Sequence, residues 1–378
     1  MTDDTPSWKF YRMSVRGLMF QKNKLKFLVI LLVTLFSFNS LVLADEVVPK
    51  LSGYGADLSQ TSVSGLSSGG FMTAQLHVAY SDKFVGAGIM AAGPFDCVGI
   101  KQEKNLNRSM NFATAVCMKP LKGMEPDGAK LFKKAIELAA QKKIDDVNNL
   151  KDDRVYIFTG SKDQTVDTPV VDQVNAFYQA AGLKPEQLRY RRDLLSAGHA
   201  IIAPKGDVPC EVTAPPYINK CEGRESAQAV LTHIYGELNP AAEQLSGKII
   251  EFDQSEFIPP EAKYTSMSRK AYVYVPEICN TESCKVHIAI HGCQQGAEKI
   301  GDKYYTTTGY NEIADTNKMI VLYPQANNSV LQNPQGCWDF WGYSTDDSQA
   351  APIFYTKESP QMKTIMAMVD RLGKTPSK

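Results

Sequence analysis

Residues 61–76, TSVSGLSSGGFMTAQL, constrain the fold of this chain more than any other stretch. A short apolar strand pattern runs into Gly65-Leu66-Ser67-Ser68-Gly69, and an apolar-periodic segment that reads as a helix follows at once. A serine between two glycines at such a turn is held on a sharp bend, because small neighbours let strand and helix pack closely. A turn of this kind belongs in the middle of a parallel sheet. Almost no chain precedes it that could supply the neighbouring strands, so they must come from later in the sequence.

Little of the preceding chain is available for folding. Lys22, Lys24 and Lys26 are followed by FLVILLVTLFSFNSLVLA, a basic region and then an apolar region with small residues at its end. That is the form of a secretory signal peptide cleaved after Ala44. A membrane anchor is the rival, since the run approaches spanning length, but Ser37, Asn39 and Ser40 weaken its distal half. Residues 1–18 read as an upstream start extension, 19–44 as the signal peptide, and 45–378 as a single domain with an irregular connection at about 205–270. The export machinery is then one expected partner. The destination is extracellular, with the periplasm as alternative, and no stable membrane association is expected after cleavage.

The eight cysteines, Cys97, Cys117, Cys210, Cys221, Cys279, Cys284, Cys293 and Cys337, all fall in the mature chain. An even count in an exported protein reads as disulfides, although connectivity is not readable from sequence. Proximity favours Cys97–Cys117, Cys210–Cys221 and Cys279–Cys284, leaving Cys293–Cys337. No Cys-x-x-Cys pair or helical His-Glu-x-x-His suggests zinc, and neither a metal nor a cofactor is expected. Basic and acidic residues balance at 41 each, so no global field favours nucleic acid.

Strand patterns alternate with helical ones along the mature chain, which is α/β class. FVGAGIMAAG, VYIFTG, KVHIAIHG and KMIVLYPQ are near-continuous apolar strands, as buried parallel strands usually are. LRYRRDLL is more polar and suits a sheet edge. In the usual hydrolase order, a strand ending in His-Gly, a further strand and a helix precede the serine turn. Here IAIHGC, MIVLYP and the helix SPQMKTIMAMVDRLG occur in that relative order but after the serine. Joining Gly373 to Gly53 restores the sequence of elements. The expected fold is a circularly permuted α/β-hydrolase with a mainly parallel central sheet, and it requires neighbouring mature termini.

In that frame Ser67 is the nucleophile, and the backbone N–H of Ser68 faces the developing oxyanion. Of five histidines, His77 and His233 lie in helical patterns, His287 inside a strand, and His291 at the end of one, where a structural hydrogen bond is expected. His199, in the loop LLSAGHAI after a strand, is the candidate base. Asp163 follows the strand VYIFTG and is the candidate orienting acid, with Asp96 as runner-up; Asp167 reads as a helix cap. The second oxyanion donor is expected from the N–H of Cys293, after IAIHG. Trp338, Phe340, Trp341 and Tyr343 form an aromatic cluster of which two are expected to pack in the core.

These segments together resemble the extracellular poly(3-hydroxybutyrate) depolymerases, particularly the single-domain, circularly permuted fungal type. The resemblance covers nearly all of residues 50–372. It rests on GLSSGG around Ser67, GSKDQTV around Asp163, SAGHAI around His199, IHGCQQG around Cys293 and NPQGCWDFWGY around Cys337. It implies a secreted serine esterase with the triad Ser67–Asp163–His199, an oxyanion hole of Ser68 and Cys293, and a Cys293–Cys337 bond. It also implies a hydrophobic polyester substrate with an aromatic contribution to its binding from the Trp338 region; of the four rings, Trp338 and Trp341 are the ones expected to meet polymer. Phe340 stands where the family commonly has tryptophan. Many bacterial members add a linker and a polymer-binding domain; with neither evident here, adsorption is expected on the catalytic domain itself. A feruloyl or acetylxylan esterase, or a non-catalytic polymer-binding protein, are the alternative readings.

Overall fold

The strand β1 (Thr61–Leu66) is buried along its whole length, as a strand covered on both faces must be. The computed structural model describes residues 47–192, 196–345 and 351–376. The expected signal peptide, 19–44, and the stretch 1–18 lie outside them. Contacts gather Val47–Lys378 into one compact unit. Among the described residues no helix is long and apolar enough to cross a membrane.

In chain order the strands after β1 are β2 (Phe84–Met90), β3 (Arg154–Phe158), β4 (Leu188–Arg191), β5 (Ile201–Ile202), β6 (Val208–Pro209), β7 (Ile218–Lys220), β8 (Lys248–Asp253), β9 (Lys270–Val275), β10 (Lys285–Ile290) and β11 (Met319–Tyr323). The helices are α1 (Ser68–Ala79), α2 (Leu106–Ala115), α3 (Gly128–Ala140), α4 (Thr168–Ala180), α5 (Ser226–Tyr235), α6 (Ala297–Ile300), α7 (Lys303–Thr307), α8 (Tyr310–Thr316) and α9 (Pro360–Leu372). Eight strands form the central sheet in the order β4-β3-β2-β1-β10-β11-β9-β8, and β5, β7 and β6 make a small second sheet.

Only β9 runs against its neighbours β11 and β8; the other pairings are parallel. Counted from β8, the strands follow an α/β-hydrolase path: β8, β9, β10 and β11, then α9, then β1 onward. The segment after α9 and the segment leading to β1 meet as this path demands. Tyr54 N donates to Leu372 O at 2.9 Å and Gly55 N to Lys374 O at 2.8 Å. A Cβ on Gly53 would stand 2.3 Å from Lys374 O, so the junction admits only glycine there. One buried layer, with Met72, Val170 and Met362, lies on one side of the sheet, and a second, with Val230, Tyr310 and Ile313, on the other.

The stretch expected as an irregular connection holds more order than its composition suggests. Besides α5 it contains β6, β7 and the edge strand β8. In β8 only Phe252 is fully buried, while Lys248, Glu251 and Asp253 reach solvent. A one-sided edge strand dilutes its apolar signal with charges that also discourage edge-to-edge pairing.

Candidate active site

Ser67 has φ 57° and ψ −124°, outside the regions an L-residue ordinarily occupies. The surrounding backbone imposes this. Ser67 N donates to Met90 O on β2, and Ser67 O accepts from Phe71 N in α1, both at 2.9 Å. Gly65 and Gly69 permit the crossing: a Cβ on Gly69 would meet His291 O at 2.3 Å, and one on Gly65 would meet Gly69 O at 2.4 Å. Strain of this kind persists only where the fold over-determines it. It presents the serine at the mouth of a cavity of about 270 Å³, lined also by His199, Thr165, Tyr217, Cys293, Phe340 and Trp341.

His199 Nδ1 lies 2.7 Å from Asp163 Oδ2, and both side chains are almost fully buried. The other carboxylate oxygen, Oδ1, accepts from the N–H groups of Thr165 and Val166 at 2.8 and 3.0 Å. The two loops are pinned together: Lys162 N donates to Ala197 O, and His199 N to Thr213 Oγ1. Asn219, with a buried carboxamide, gives its Nδ2 hydrogens to Pro209, Cys210 and Val212 carbonyls, and the Cys210–Cys221 disulfide closes that support. Ser67 and His199 line the same cavity, while no hydrogen bond joins their side chains among the described residues; such contacts often tighten only with substrate.

The other histidines are occupied structurally. His77 bonds Tyr178 and Asp153, and His233 bonds Gln187 O. His287 lies between Ser62 and Ser64, and burial lowers its pKa to about 3. His291 Nδ1 donates to Gly292 O and its Nε2 accepts from Ala326 N; burial lowers it to about 4. Asp96, the runner-up acid, has both carboxylate oxygens buried without a partner, and burial pushes its pKa well up. Asp167 occupies the first cap of α4, yet its side chain makes no capping bond.

The loop after β10 is held from three sides. Gln295 Oε1 accepts from Gly292 N at 2.6 Å, while its Nε2 donates to the carbonyls of Pro216 and Tyr217. Gln294 N donates to Gln335 O, and Cys293 is bonded to Cys337. The N–H groups of Ser68 and Cys293 donate to no group among the described residues.

All four disulfides follow the pairing favoured by proximity, but only Cys293 and Cys337 line the cavity. Cys97 and Cys117 close the excursion that carries α2. Cys279 and Cys284, both buried, staple the short turn between β9 and β10. Their place is structural, outside the site: Cys284 O accepts from Asp57 N at 2.9 Å, which ties that turn to the segment leading into β1.

The aromatic cluster departs from the expectation that only two of its four rings pack in the core. Trp338, Phe340, Trp341 and Tyr343 are all buried, the most open being 5% exposed. Trp338 packs on His291 at 5.4 Å and lies outside the cavity lining, as does Tyr343, whose hydroxyl donates to Cys337 O. Phe340 and Trp341 remain as cavity walls. What turns them inward is Asp339, which sequence reasoning did not single out. Its carboxylate accepts from the N–H groups of Trp341, Gly342, Tyr343 and Ser344 and from the Ser344 hydroxyl. An acid shortly ahead of a glycine in a turn is the signal that could have found it.

Gln295, Tyr217 and the methionines Met110 and Met118 were likewise not anticipated in the cavity. The methionines come from α2 and the chain after it, in and beside the excursion closed by Cys97–Cys117. Irregular segments carry no period from which such convergence can be read.

The strand path, the strained serine turn and the joined termini define the class: this is a circularly permuted α/β-hydrolase. No protein-family model matches the chain. A poly(3-hydroxybutyrate) depolymerase of Delftia acidovorans is 39% identical over 324 residues, which is 84% of this chain and 60% of that protein's length. A polyhydroxybutyrate depolymerase of Talaromyces funiculosus is 33% identical over 348 residues, 86% of this chain and 94% of the relative. Among solved structures, a PHB depolymerase from Penicillium funiculosum superposes with TM-score 0.73 at 32% identity, covering 86% of this chain and 98% of that one. A PHB depolymerase with a serine replaced by alanine, complexed with R3HB trimer, gives 0.74 at 33% identity with the same coverage. The chain belongs to the polyhydroxybutyrate depolymerase family of carboxylic ester hydrolases.

Proposed function

We propose that this chain is a secreted serine esterase that cuts poly(3-hydroxybutyrate), or a related short-chain polyester, into oligomers and 3-hydroxybutyrate. The observation that carries this reading is the Asp163–His199 pair opening onto the same cavity as the strained Ser67. Ser67 Oγ attacks the ester carbonyl as His199 Nε2 takes its proton, and Asp163 holds the Nδ1–H tautomer and favours the imidazolium. The oxyanion receives the N–H groups of Ser68 and Cys293. The imidazolium then protonates the leaving alcohol. Water, deprotonated by the same His199, attacks the acyl carbon, and the imidazolium returns the proton to Ser67 Oγ as the acid leaves and ionises.

The cavity supports a short apolar acyl chain. Phe71, Phe340, Met110 and Met118 offer apolar wall, and Trp341 Nε1, buried without a partner, offers one donor to an ester carbonyl. Four disulfides support an oxidising destination. The test is hydrolysis of amorphous poly(3-hydroxybutyrate) alongside feruloylated xylan by the oxidised mature protein. Release of 3-hydroxybutyrate oligomers is expected. Ferulate release without them would sink the polyester assignment, and the absence of any turnover would sink the esterase reading.

A further inference from the structure

A second cleft, about 810 Å³ in volume, lies over the edge of the central sheet formed by β3 and β4. Alternation along the strands decides what lines it. Arg154, Tyr156 and Phe158 recur at every second residue of β3, and Arg189 and Arg191 do so on β4. Tyr156 pairs in register with Arg189, and Phe158 with Arg191, so the aromatic and cationic side chains stand beside one another. Tyr190 and Arg192 point the other way and are both engaged by Asp172. Arg224, just before α5, also lines the cleft.

This choice of cation is against the habit of the chain. Only ten of its 41 basic residues are arginine, yet four of those ten line this cleft and no lysine does. Arginine offers a planar fork that takes a carboxylate or phosphate by two parallel bonds, which lysine cannot match. Among the described residues Glu225 is the sole acid in the lining. The side chains of Arg189 and Arg224 enter no ion pair among the described residues. The positive field reaches His233, which also lines the cleft: burial first, then the charges of Arg154 and Arg189, lower its pKa. Charges on an edge strand also guard against strand addition, but that task places no demand on Arg224 and none for arginine over lysine.

We propose that this arginine cleft is a second binding site, separate from the Ser67 cavity, for the free carboxylate end of a short 3-hydroxyacid oligoester. The proposal rests on the polyester reading above. Each ester cleavage creates one such carboxylate on an otherwise apolar chain. The cleft lining brings the guanidinium groups of Arg189 and Arg224 together with Tyr156, Phe158 and Ile202, whose side chains are nearly buried. Holding chain ends there would keep the protein close to partly degraded polymer.

The test uses the oxidised protein carrying Ser67→Ala, titrated by calorimetry with linear 3-hydroxybutyrate trimer as the free acid, with its methyl ester, and with inorganic phosphate. The free acid is expected to bind roughly tenfold more tightly than the ester, a preference that falls with added salt. Arg189→Gln with Arg224→Gln should abolish the preference while leaving soluble-ester turnover of the Ser67 enzyme unchanged. Equal binding of acid and ester, or a preference that survives the double substitution, overturns the site. Phosphate that displaces the trimer at equal concentration overturns the oligoester assignment. Preferential acid binding in a protein that hydrolyses no ester would leave the cleft standing and remove the proposed activity instead.

Discussion

The rings of Phe71 and Phe340 stack with centroids 4.2 Å apart and planes 8° from parallel. Phe71 lies in the first turn of the helix behind Ser67, and Phe340 belongs to the loop tied to the oxyanion segment through Cys337. The aromatic loop is therefore a wall of the Ser67 cavity. Phe340→Ala is expected to cost about 3 kcal/mol of stability, the usual penalty for emptying a buried aromatic site. It should raise KM for a small soluble ester several-fold. Adsorption to polyester film should change much less. A substitution that weakens adsorption while leaving soluble-ester KM untouched would return Phe340 to the outer surface.

Ser67→Ala should end turnover and leave the melting temperature nearly unchanged, and an organophosphonate should label Ser67 alone. Asp163→Asn presents His199 with a donor where it needs an acceptor, and kcat should fall by roughly four orders of magnitude. Asp96→Asn should leave kcat within a few-fold, because the Asp96 carboxyl makes no bond to His199. If Asp96→Asn proves the more damaging change in equally folded protein, the acid has been misassigned.

Gln295 accepts from Gly292 N within the Cys293 loop and ties that loop to the Pro216–Tyr217 segment by two further hydrogen bonds. Gln295→Leu removes them while keeping much of the volume. Because oxyanion donors act only when held in place, kcat should fall by roughly 10–100-fold, with KM moving little. Steady-state kinetics on a nitrophenyl ester would detect the opposite pattern, a KM effect alone, which would make the residue a binding element.

His287 and His291 have pKa values lowered by burial to about 3 and about 4. An unfolded histidine takes its proton near 6.5, so below that pH the unfolded state binds more protons. Their stabilising effect is thus complete above about pH 6.5 and is lost as pH falls toward their folded values. Each should remove on the order of 1 kcal/mol per pH unit across that window. Urea denaturation at pH 7 and pH 5 should give a lower midpoint at pH 5. His287→Gln should flatten the dependence; an unchanged slope would show that His287 does not contribute.

Mild reduction should inactivate before it unfolds if Cys293–Cys337 is the first bridge to open. That bridge lies beside the cavity, whereas Cys97–Cys117 and Cys279–Cys284 are buried away from it. A disulfide commonly contributes about 2–4 kcal/mol. Peptide mapping of partly reduced samples should find residual activity following the Cys293–Cys337 peptide, and activity that outlasts its loss would contradict this.

The permuted order was readable because it depends on patterns with a period: buried strands, one amphipathic helix, and a serine turn whose glycines have no substitute. The histidine and acid could be picked out because strand ends and short loops place them. The aromatic cluster was harder. Composition marks Trp338 and Trp341 as sticky, but whether they face water is decided by Asp339, whose five accepted bonds turn the loop inward. The edge strand β8 was lost for a related reason, since half-exposed strands read like polar connections. The methionines of the cavity arrive through a disulfide-closed excursion, and nothing local in sequence announces where such a segment folds back.

The joined termini also set the order in which the site can exist. Among the described strands β1 is made first, while Ser62 meets its partner His287 only 225 residues later. Until β10 arrives, one side of β1 has no neighbour, and the loop carrying Cys293 has not been made. Such distant pairing is slow and leaves an apolar strand edge waiting. Ser67 is thus made long before the strand and loop that complete its surroundings, so its cavity stays unassembled for much of translation.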